Sequence, residues 1–267
     1  SLNELIKECE NLVENGVKEI TLLGQNVNAY NYQEKKLSDL IYEISKIKEL
    51  RRIRYTTSHP IDFTSDLIEA HGTTDKLMPY IHLPVQSGSN KILKNMNRKH
   101  TVKDYLKLIH KLKKINSKIK FSSDFIIGYP GETENDFFNT IKLLKEVEYI
   151  NTFSFIFSPR PGTPAAKKKP ILAEAAKERL IFFQKTAGEI KMKYRRSLLN
   201  EKSLVLFENK VKNKFEYFGR DEFANSVVVK TRDNLKGCIE KVKILDGNNK
   251  TLFGEVTQNN NAKEFAA

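Results

Sequence analysis

Five apolar runs of strand length, each leading into a segment with helical spacing, constrain this chain more than any other feature of its 267 residues. The runs are VKEITLL (17–23), RRIRYTT (51–57), MPYIHLPV (78–85), KIKFSSDFII (118–127) and NTFSFIF (151–157). Between them lie helical patterns at 37–48, with Leu40, Ile41, Ile44 and Ile47, at FTSDLIEA, at 89–97 and 101–115, and from Thr133 onward, with Phe137, Ile141, Leu144 and Val147. Thr101-x-x-Asp104 and Thr133-x-x-Asp136 have the form of capping boxes. A helical pattern through Leu2, Leu5, Ile6, Cys9, Leu12 and Val13 precedes the first run, and a long one fills 172–198. Strands separated by helices run parallel through right-handed crossovers. A barrel-like sheet and an open doubly wound sheet both fit, and in both a ligand sits at the carboxyl ends of the strands.

Those ends share a chemistry. The five runs lead into Gly24-Gln25-Asn26-Val27-Asn28, Thr57-Ser58-His59-Pro60, Gln86-Ser87-Gly88-Ser89, Gly128-Tyr129-Pro130-Gly131-Glu132 and Ser158-Pro159-Arg160-Pro161-Gly162-Thr163. Amides, hydroxyls and glycines gather on one face, while the opposite connections, such as Asn15-Gly16 and Asn116-Ser117, are ordinary turns. One such loop is a weak signal, but five on one sheet face point to a ligand site.

After residue 197 the period changes. KSLVLFE, KFEYFGR, NSVVVKT, GCIEKVKIL and KTLFGEV are short strands joined by Gly, Asn and Lys turns, the pattern of a small antiparallel β-barrel of the oligonucleotide-binding (OB) type. QNNNAKEFAA, from Gln258, reads as a disordered tail. The expected domains are therefore 1–196, 197–257 and a tail at 258–267. The formal net charge of +13 favours a polyanionic partner, although a Lys- and Asn-rich composition alone would raise it. Two distant cysteines, Cys9 and Cys238, form neither a metal spacing nor a disulfide framework. No apolar run approaches the roughly 20 residues that span a bilayer. A cytoplasmic protein with no membrane association is expected.

The stretches LLGQNVNAY, RYTTSHP, HLPVQSGSN followed by MNRKHT, DFIIGYPGETENDF and FSFIFSPRPGTPAA, in this order and spacing, resemble the MiaB-type branch of the radical S-adenosylmethionine methylthiotransferases. The resemblance covers nearly the whole chain. It implies a partial (β/α)6-type open barrel lacking its first strand, followed by a TRAM domain, an RNA-binding β-barrel. It implies methylthiolation at carbon 2 of N6-isopentenyladenosine beside the anticodon of tRNA. In that chemistry a reduced [4Fe–4S] cluster cleaves S-adenosylmethionine to a radical, and a second S-adenosylmethionine gives the methyl group. The partners implied are tRNA and an electron donor, with the enzyme a monomer. The family's Cys-x-x-x-Cys-x-x-Cys and its second cysteine set are absent from these 267 residues. The chain is thus expected to be a C-terminal fragment, inactive alone, with no metal site. A sister enzyme acting on another tRNA adenosine or on a ribosomal-protein aspartate is the alternative, as is a fragment that only binds RNA.

The resemblance also assigns residues. Gln25, Asn26, Ser58, Gln86, Ser87, Ser89, Arg98, Asp124 and Gly128 are expected around S-adenosylmethionine. Gln25 and Asn26 would meet its amino group, Gln86, Ser87 and Ser89 its ribose or carboxylate, and Gly128 would let adenine lie against the strand. Ser89 also stands where a helix cap belongs, and Arg98 where a cation suits a helix dipole. Asp124 replaces the first glycine of the usual Gly-x-Ile-x-Gly-x-x-Glu pattern, so it is a candidate in its own right, either on the cofactor or on the substrate base, and Glu132 comes one residue late. For RNA, the candidates are Arg160, held between two prolines, the basic run Lys191, Lys193, Arg195 and Arg196, and Phe218 with Arg220 on the small barrel.

Overall fold

The structure, a computed structural model, describes residues 1–56, 58–212 and 214–257. The expected tail from Gln258 lies outside them. Contacts divide the chain into two compact units, Ser1–Lys191 and Met192–Ala267.

The first unit alternates strands and helices as the apolar runs dictate. Its elements are α1 (Leu2–Glu14), β1 (Glu19–Leu22), the short strands β2 (Asn31–Tyr32) and β3 (Lys35–Lys36), α2 (Leu37–Ser45), β4 (Arg52–Tyr55), α3 (Ser65–Thr73), β5 (Tyr80–His82), α4 (Asn90–Asn95), α5 (Val102–Ile115), β6 (Lys120–Ile127), α6 (Glu134–Val147), β7 (Asn151–Ile156) and α7 (Ala173–Ser197). The last turns of α7 belong to the second unit. Strands β1 and β4 pair in parallel, as do β5, β6 and β7. A parallel bridge between Ile53 and Leu77 joins the two sheets, and one between Gln86 and Phe125 continues the pairing past Pro84. The five expected strands are therefore present, all parallel.

Helix starts follow their caps. Thr101 and Thr133 each accept from the backbone N–H three residues on, and Asp104 and Asp136 return the bond to the cap backbone. The Ser1/Glu4 pair does the same for α1. Two apolar clusters hold the unit. One packs β5–β6 side chains such as Ile81, Phe121 and Phe125 against Leu112, Leu144 and Phe183 of the helices; the other packs Ile20 and Ile53 against Cys9, Ile41, Ile44 and Leu67. Along β6, Phe121, Phe125 and Ile127 point into this core. Alternation then turns Asp124 and Ile126 the other way. The β2–β3 hairpin was not legible in the sequence. Its turn residues Gln33 and Glu34 have φ of 48° and 65°, positions where Gly or Asn would ordinarily give the signal.

The second unit is a closed five-stranded barrel of β8 (Lys202–Lys210), β9 (Glu216–Arg220), β10 (Ser226–Lys230), β11 (Ile239–Gly247) and β12 (Leu252–Val256). The order around it is β8-β9-β10-β12-β11, with β10 and β12 parallel and every other pair antiparallel. The small, largely antiparallel barrel expected from the sequence is present, with this one parallel pair. That pair follows from the excursion between β10 and β11, which returns the chain on the far side of β12. Val205, Phe207, Val227, Val229, Val242 and Ile244 fill the centre. Bulges lie between Phe207 and Asn209 and between Ile244 and Asp246. A Cβ on Gly219 would strike the carbonyl oxygen of Leu206, so only glycine fits that strand crossing.

Candidate functional site

A cavity of about 940 Å³ opens at the carboxyl ends of β5–β7 and is lined by Gln86, Arg98, Asp124 and Arg160 among others. These are four of the residues singled out by the sequence, and they come from four different segments. The cavity's apolar wall includes Ile126, Tyr129, Phe155 and Phe157.

Gln86 is fixed by backbone pairing. Its N–H donates to the Asp124 carbonyl at 2.9 Å, and its carbonyl accepts from the Ile126 N–H at 3.0 Å. It has φ of +76°, a left-handed conformation that costs a non-glycine residue on the order of 1–3 kcal/mol. The backbone is tightly packed two residues later, where a Cβ on Gly88 would collide with the α6 backbone at Asn139 and Thr140. Among the described residues, neither the Gln86 amide nor the Arg98 guanidinium has a side-chain hydrogen-bond partner. Burial pushes the Arg98 pKa down, while the charge of Asp124 opposes that shift. Asp124 lies 3.4 Å from Nε2 of His82, whose Nδ1 is 2.9 Å from Ser122 Oγ and whose ring meets Phe153 edge-on at 5.8 Å. Next to Arg98, His100 is buried and held neutral down to about pH 4 by burial and by the neighbouring His59 and Arg98.

The other expected cofactor contacts do not line this cavity. Gln25 is exposed. Asn26 donates to Asp62 at 2.6 Å and borders a separate hollow of about 460 Å³ beside α1 and β1. Ser58 is buried and donates to the His82 carbonyl. Ser89 donates to Asp136 at 2.7 Å and caps α4 by accepting from Ile92, while Ser87 lies 3.4 Å from Thr140 Oγ1. These hydroxyls tie the Gln86–Ser89 turn to α6. Gly128 has φ of +74°, and a Cβ there would come 2.9 Å from Ala176 and 3.2 Å from Ile171. The chain itself fills the space over Gly128, and Ile126 and Tyr129 form the adjoining cavity wall instead. The late Glu132 serves the same turn. It is buried, accepts from the Gly128 N–H at 3.0 Å and pairs with Arg179 at 2.8 Å. Burial raises its pKa and Arg179 opposes the rise.

Of the basic candidates, Arg160, Lys193 and Arg196 are exposed, and Lys191 donates to Asn151 at 2.6 Å. Arg195 departs from the expected surface contact. It is 3% exposed and donates to the backbone carbonyls of Asn248 and Lys250, so it braces the turn between β11 and β12. Arg220 lies over the Phe218 ring at 5.4 Å and pairs with Glu208 at 3.1 Å. His82, Asn95 and Tyr129 were not singled out in the sequence. His82 could have been found from alternation, since it stands on the Asp124 side of its strand.

The cavity fits S-adenosylmethionine. Arg98 offers a guanidinium without a side-chain hydrogen bond for a carboxylate, Gln86 and Asp124 offer polar atoms for a sugar or an ammonium, and Ile126 and Tyr129 offer an apolar wall. The residues do not fit an iron–sulfur cluster. Among the described residues no three His, Cys, Asp or Glu side chains are grouped to hold a metal ion, and Cys9 is buried in the core. No helix of the described residues is long and apolar enough to cross a membrane.

Residues 1–144 match the Radical SAM superfamily. The chain is 49% identical, over 98% of its length, to the tRNA-2-methylthio-N(6)-dimethylallyladenosine synthase of Pelagibacter ubique (strain HTCC1062). It is 47% identical, over 95% of its length, to the protein of that name from Wolbachia pipientis subsp. Culex pipiens (strain wPip). In both comparisons the chain spans 59% of the relative's length. Among solved structures it is similar to coproporphyrinogen III oxidase (HemN) from Escherichia coli, with a TM-score of 0.53 and 14% identity over 83% of this chain and 60% of that one. It is also similar to the radical S-adenosylmethionine methyltransferase TsrM from Kitasatospora setae, with a TM-score of 0.51 and 16% identity over 62% of this chain and 33% of that one. At such identities the likeness speaks for the fold alone, and it is the fold that the parallel sheet displays. With more than half its length matched and its strand-end cavity in place, this chain belongs to the radical SAM superfamily.

Proposed function

We propose that this chain is part of an enzyme that methylthiolates carbon 2 of N6-isopentenyladenosine beside the anticodon of tRNA. The observation that carries the reading is the convergence of Gln86, Arg98 and Asp124 on one cavity at the strand ends. S-adenosylmethionine, when bound, supplies a radical for hydrogen abstraction and, from a second molecule, a methyl group. Arg98 holds the cofactor's carboxylate, Gln86 and Asp124 its polar groups, and the wall of Ile126 and Tyr129 its base. His82 steadies Asp124 from behind. The names of the relatives support the substrate, since both are called synthases of a tRNA nucleoside.

Residues 197–257 act as the TRAM module that holds the tRNA. The exposed cations Lys193 and Arg196 and the mouth residue Arg160 contact phosphates.

The test is made in cells that lack the intact gene. Wild-type and Arg98→Ala versions are returned to them, and nucleosides from digested tRNA are measured by mass spectrometry. Arg98→Ala should leave N6-isopentenyladenosine without its methylthio group while the protein stays soluble at normal abundance. Wild-type levels of the methylthio product in that variant would overturn the assignment of the cavity. Restoration of a different modified nucleoside by the wild type would overturn the substrate.

A further inference from the structure

An exposed aromatic ring set between two cations stands on the small barrel, apart from the residues discussed above. Phe215 is 62% exposed and presents its ring to solvent. Lys210 Nζ lies 5.5 Å and Arg232 Cζ 5.7 Å from its ring centre. The ring is held by backbone pairing, because the Thr231 N–H donates to the Phe215 carbonyl at 3.0 Å and the Val211 N–H to the Glu216 carbonyl at 2.8 Å. Lys210 ends β8, Phe215 precedes β9 and Arg232 follows β10, so three segments converge on one end of the barrel.

The charge there is one-sided. Segments 210–216 and 230–236 carry Lys210, Lys212, Lys214, Lys230, Arg232 and Lys236 against two acids, Asp233 and Glu216, and Glu216 is paired with Lys214 at 3.7 Å. Asp233 is engaged with the Thr231 hydroxyl, and neither Lys210 nor Arg232 pairs with a carboxylate among the described residues. A rigid flat apolar surface flanked by flexible cations matches an unpaired nucleotide. The ring takes the base by stacking, and the long cationic side chains take the phosphates on either side. The strand order β8-β9-β10-β12-β11 adds an independent reason, since in five-stranded barrels of this order the loop between the first two strands borders the oligonucleotide face.

We infer that Phe215 is a base-stacking platform for a single unpaired nucleotide of an RNA strand, with Lys210 and Arg232 on its flanking phosphates. This rests on the reading of the protein as one that binds RNA. It differs from a purely electrostatic hold, because an aromatic face contributes affinity only where a base is unstacked and available. Paired RNA would engage the cations and not the ring.

The chain contains no tryptophan, so Phe215→Trp places a unique fluorescent reporter at the platform. The probes are a single-stranded ten-nucleotide oligoribonucleotide and a version of it with abasic positions throughout. Oligoribonucleotide binding should quench the Phe215→Trp emission, with affinity close to that of the unsubstituted chain. Phe215→Ala should weaken binding by roughly 5- to 150-fold without changing the slope of log affinity against log salt. The abasic strand should bind the unsubstituted chain and Phe215→Ala alike and should leave the tryptophan unquenched. If the unsubstituted chain binds the oligoribonucleotide and Phe215→Ala binds it equally, the platform is wrong and the RNA reading stands. If Phe215→Ala loses the abasic strand to the same extent, the ring acts on the fold or the charges, and the platform is again overturned. If the unsubstituted chain binds neither strand, the RNA reading and the platform fall together.

Discussion

Replacing Ser89 by alanine separates two roles for the Gln86–Ser89 turn. On the structure, Ser89 is a brace. Its hydroxyl donates to Asp136 at 2.7 Å and accepts from the Ile92 N–H at 3.4 Å, and both Ser89 and Asp136 are buried. Asp136 also accepts from Lys91 at 2.9 Å and from the Thr133 hydroxyl and N–H at 2.7 and 2.9 Å. Burial works against the Asp136 charge, but the hydrogen bonds from Ser89 and Thr133 win and hold its pKa below the ordinary carboxylate value. A hydrogen bond to a charged acceptor contributes about 1.5–3 kcal/mol, and a cap about 1 kcal/mol. The cap bond is long and α4 is short, so Ser89→Ala should cost about 2–3 kcal/mol. Asp136→Ala loses every one of these bonds and should cost about 3–5 kcal/mol. The double variant should show a coupling of about 1–2 kcal/mol, because both changes remove the same bond. Urea unfolding followed by circular dichroism at pH 7 gives all three values. The Asp136 contribution is present above the unfolded carboxyl pKa of about 3.9 and is lost as the pH falls through the lower folded value. A Ser89→Ala chain within about 0.5 kcal/mol of the wild type, or a coupling near zero, would refute the brace. Lost S-adenosylmethionine affinity in the intact enzyme, with stability unchanged, would return Ser89 to the cofactor.

His71 is buried, contacts the Tyr55 hydroxyl at 2.6 Å, and has its pKa lowered by burial from 6.5 to about 3. The unfolded chain therefore binds this proton first, and stability should fall as the pH drops below 6.5, by about 2 kcal/mol at pH 5; equilibrium urea unfolding curves at pH 7 and pH 5 should show that loss shrinking in His71→Gln. Gly128→Val should destabilise the chain by about 2–5 kcal/mol, from its left-handed φ and the contact with Ala176, and a thermal midpoint unchanged from the wild type would remove that argument. Arg195→Ala should lower barrel stability by about 1–3 kcal/mol with the salt slope of RNA binding unchanged, whereas exposed Arg196→Ala should lower the slope by about 0.7–0.9 and leave stability alone. A salt titration paired with unfolding of each variant tells the two arginines apart.

Much of the first unit was legible because its signals are local. Apolar runs, helical spacing and the Thr-x-x-Asp boxes each act within a few residues, so five parallel strands and the helix starts after Thr101 and Thr133 followed from them. The β2–β3 hairpin was not legible, because Gln33 and Glu34 hold left-handed conformations that their identities do not announce. The direction of each pairing in the barrel depends on where the chain returns after β10, and no residue pattern records that.

The sequence by itself determined that polar loops collect at the strand ends, and Gln86 and Arg160 from those loops do share a cavity with Asp124 of β6 and Arg98 beyond α4. Only the tertiary structure decided which neighbours face that cavity and which face the protein. Ser87, Ser89, Ser58 and Gly128 have the same chemistry as cofactor contacts, yet α6, β5 and the 171–176 segment already occupy their polar groups or their space. Arg195 and Arg196 are adjacent and alike in sequence, but helix rotation turns one onto two carbonyls and the other to solvent. A hydroxyl or a guanidinium is defined by its own atoms, whereas its partner is set by chain segments that sequence separation cannot place.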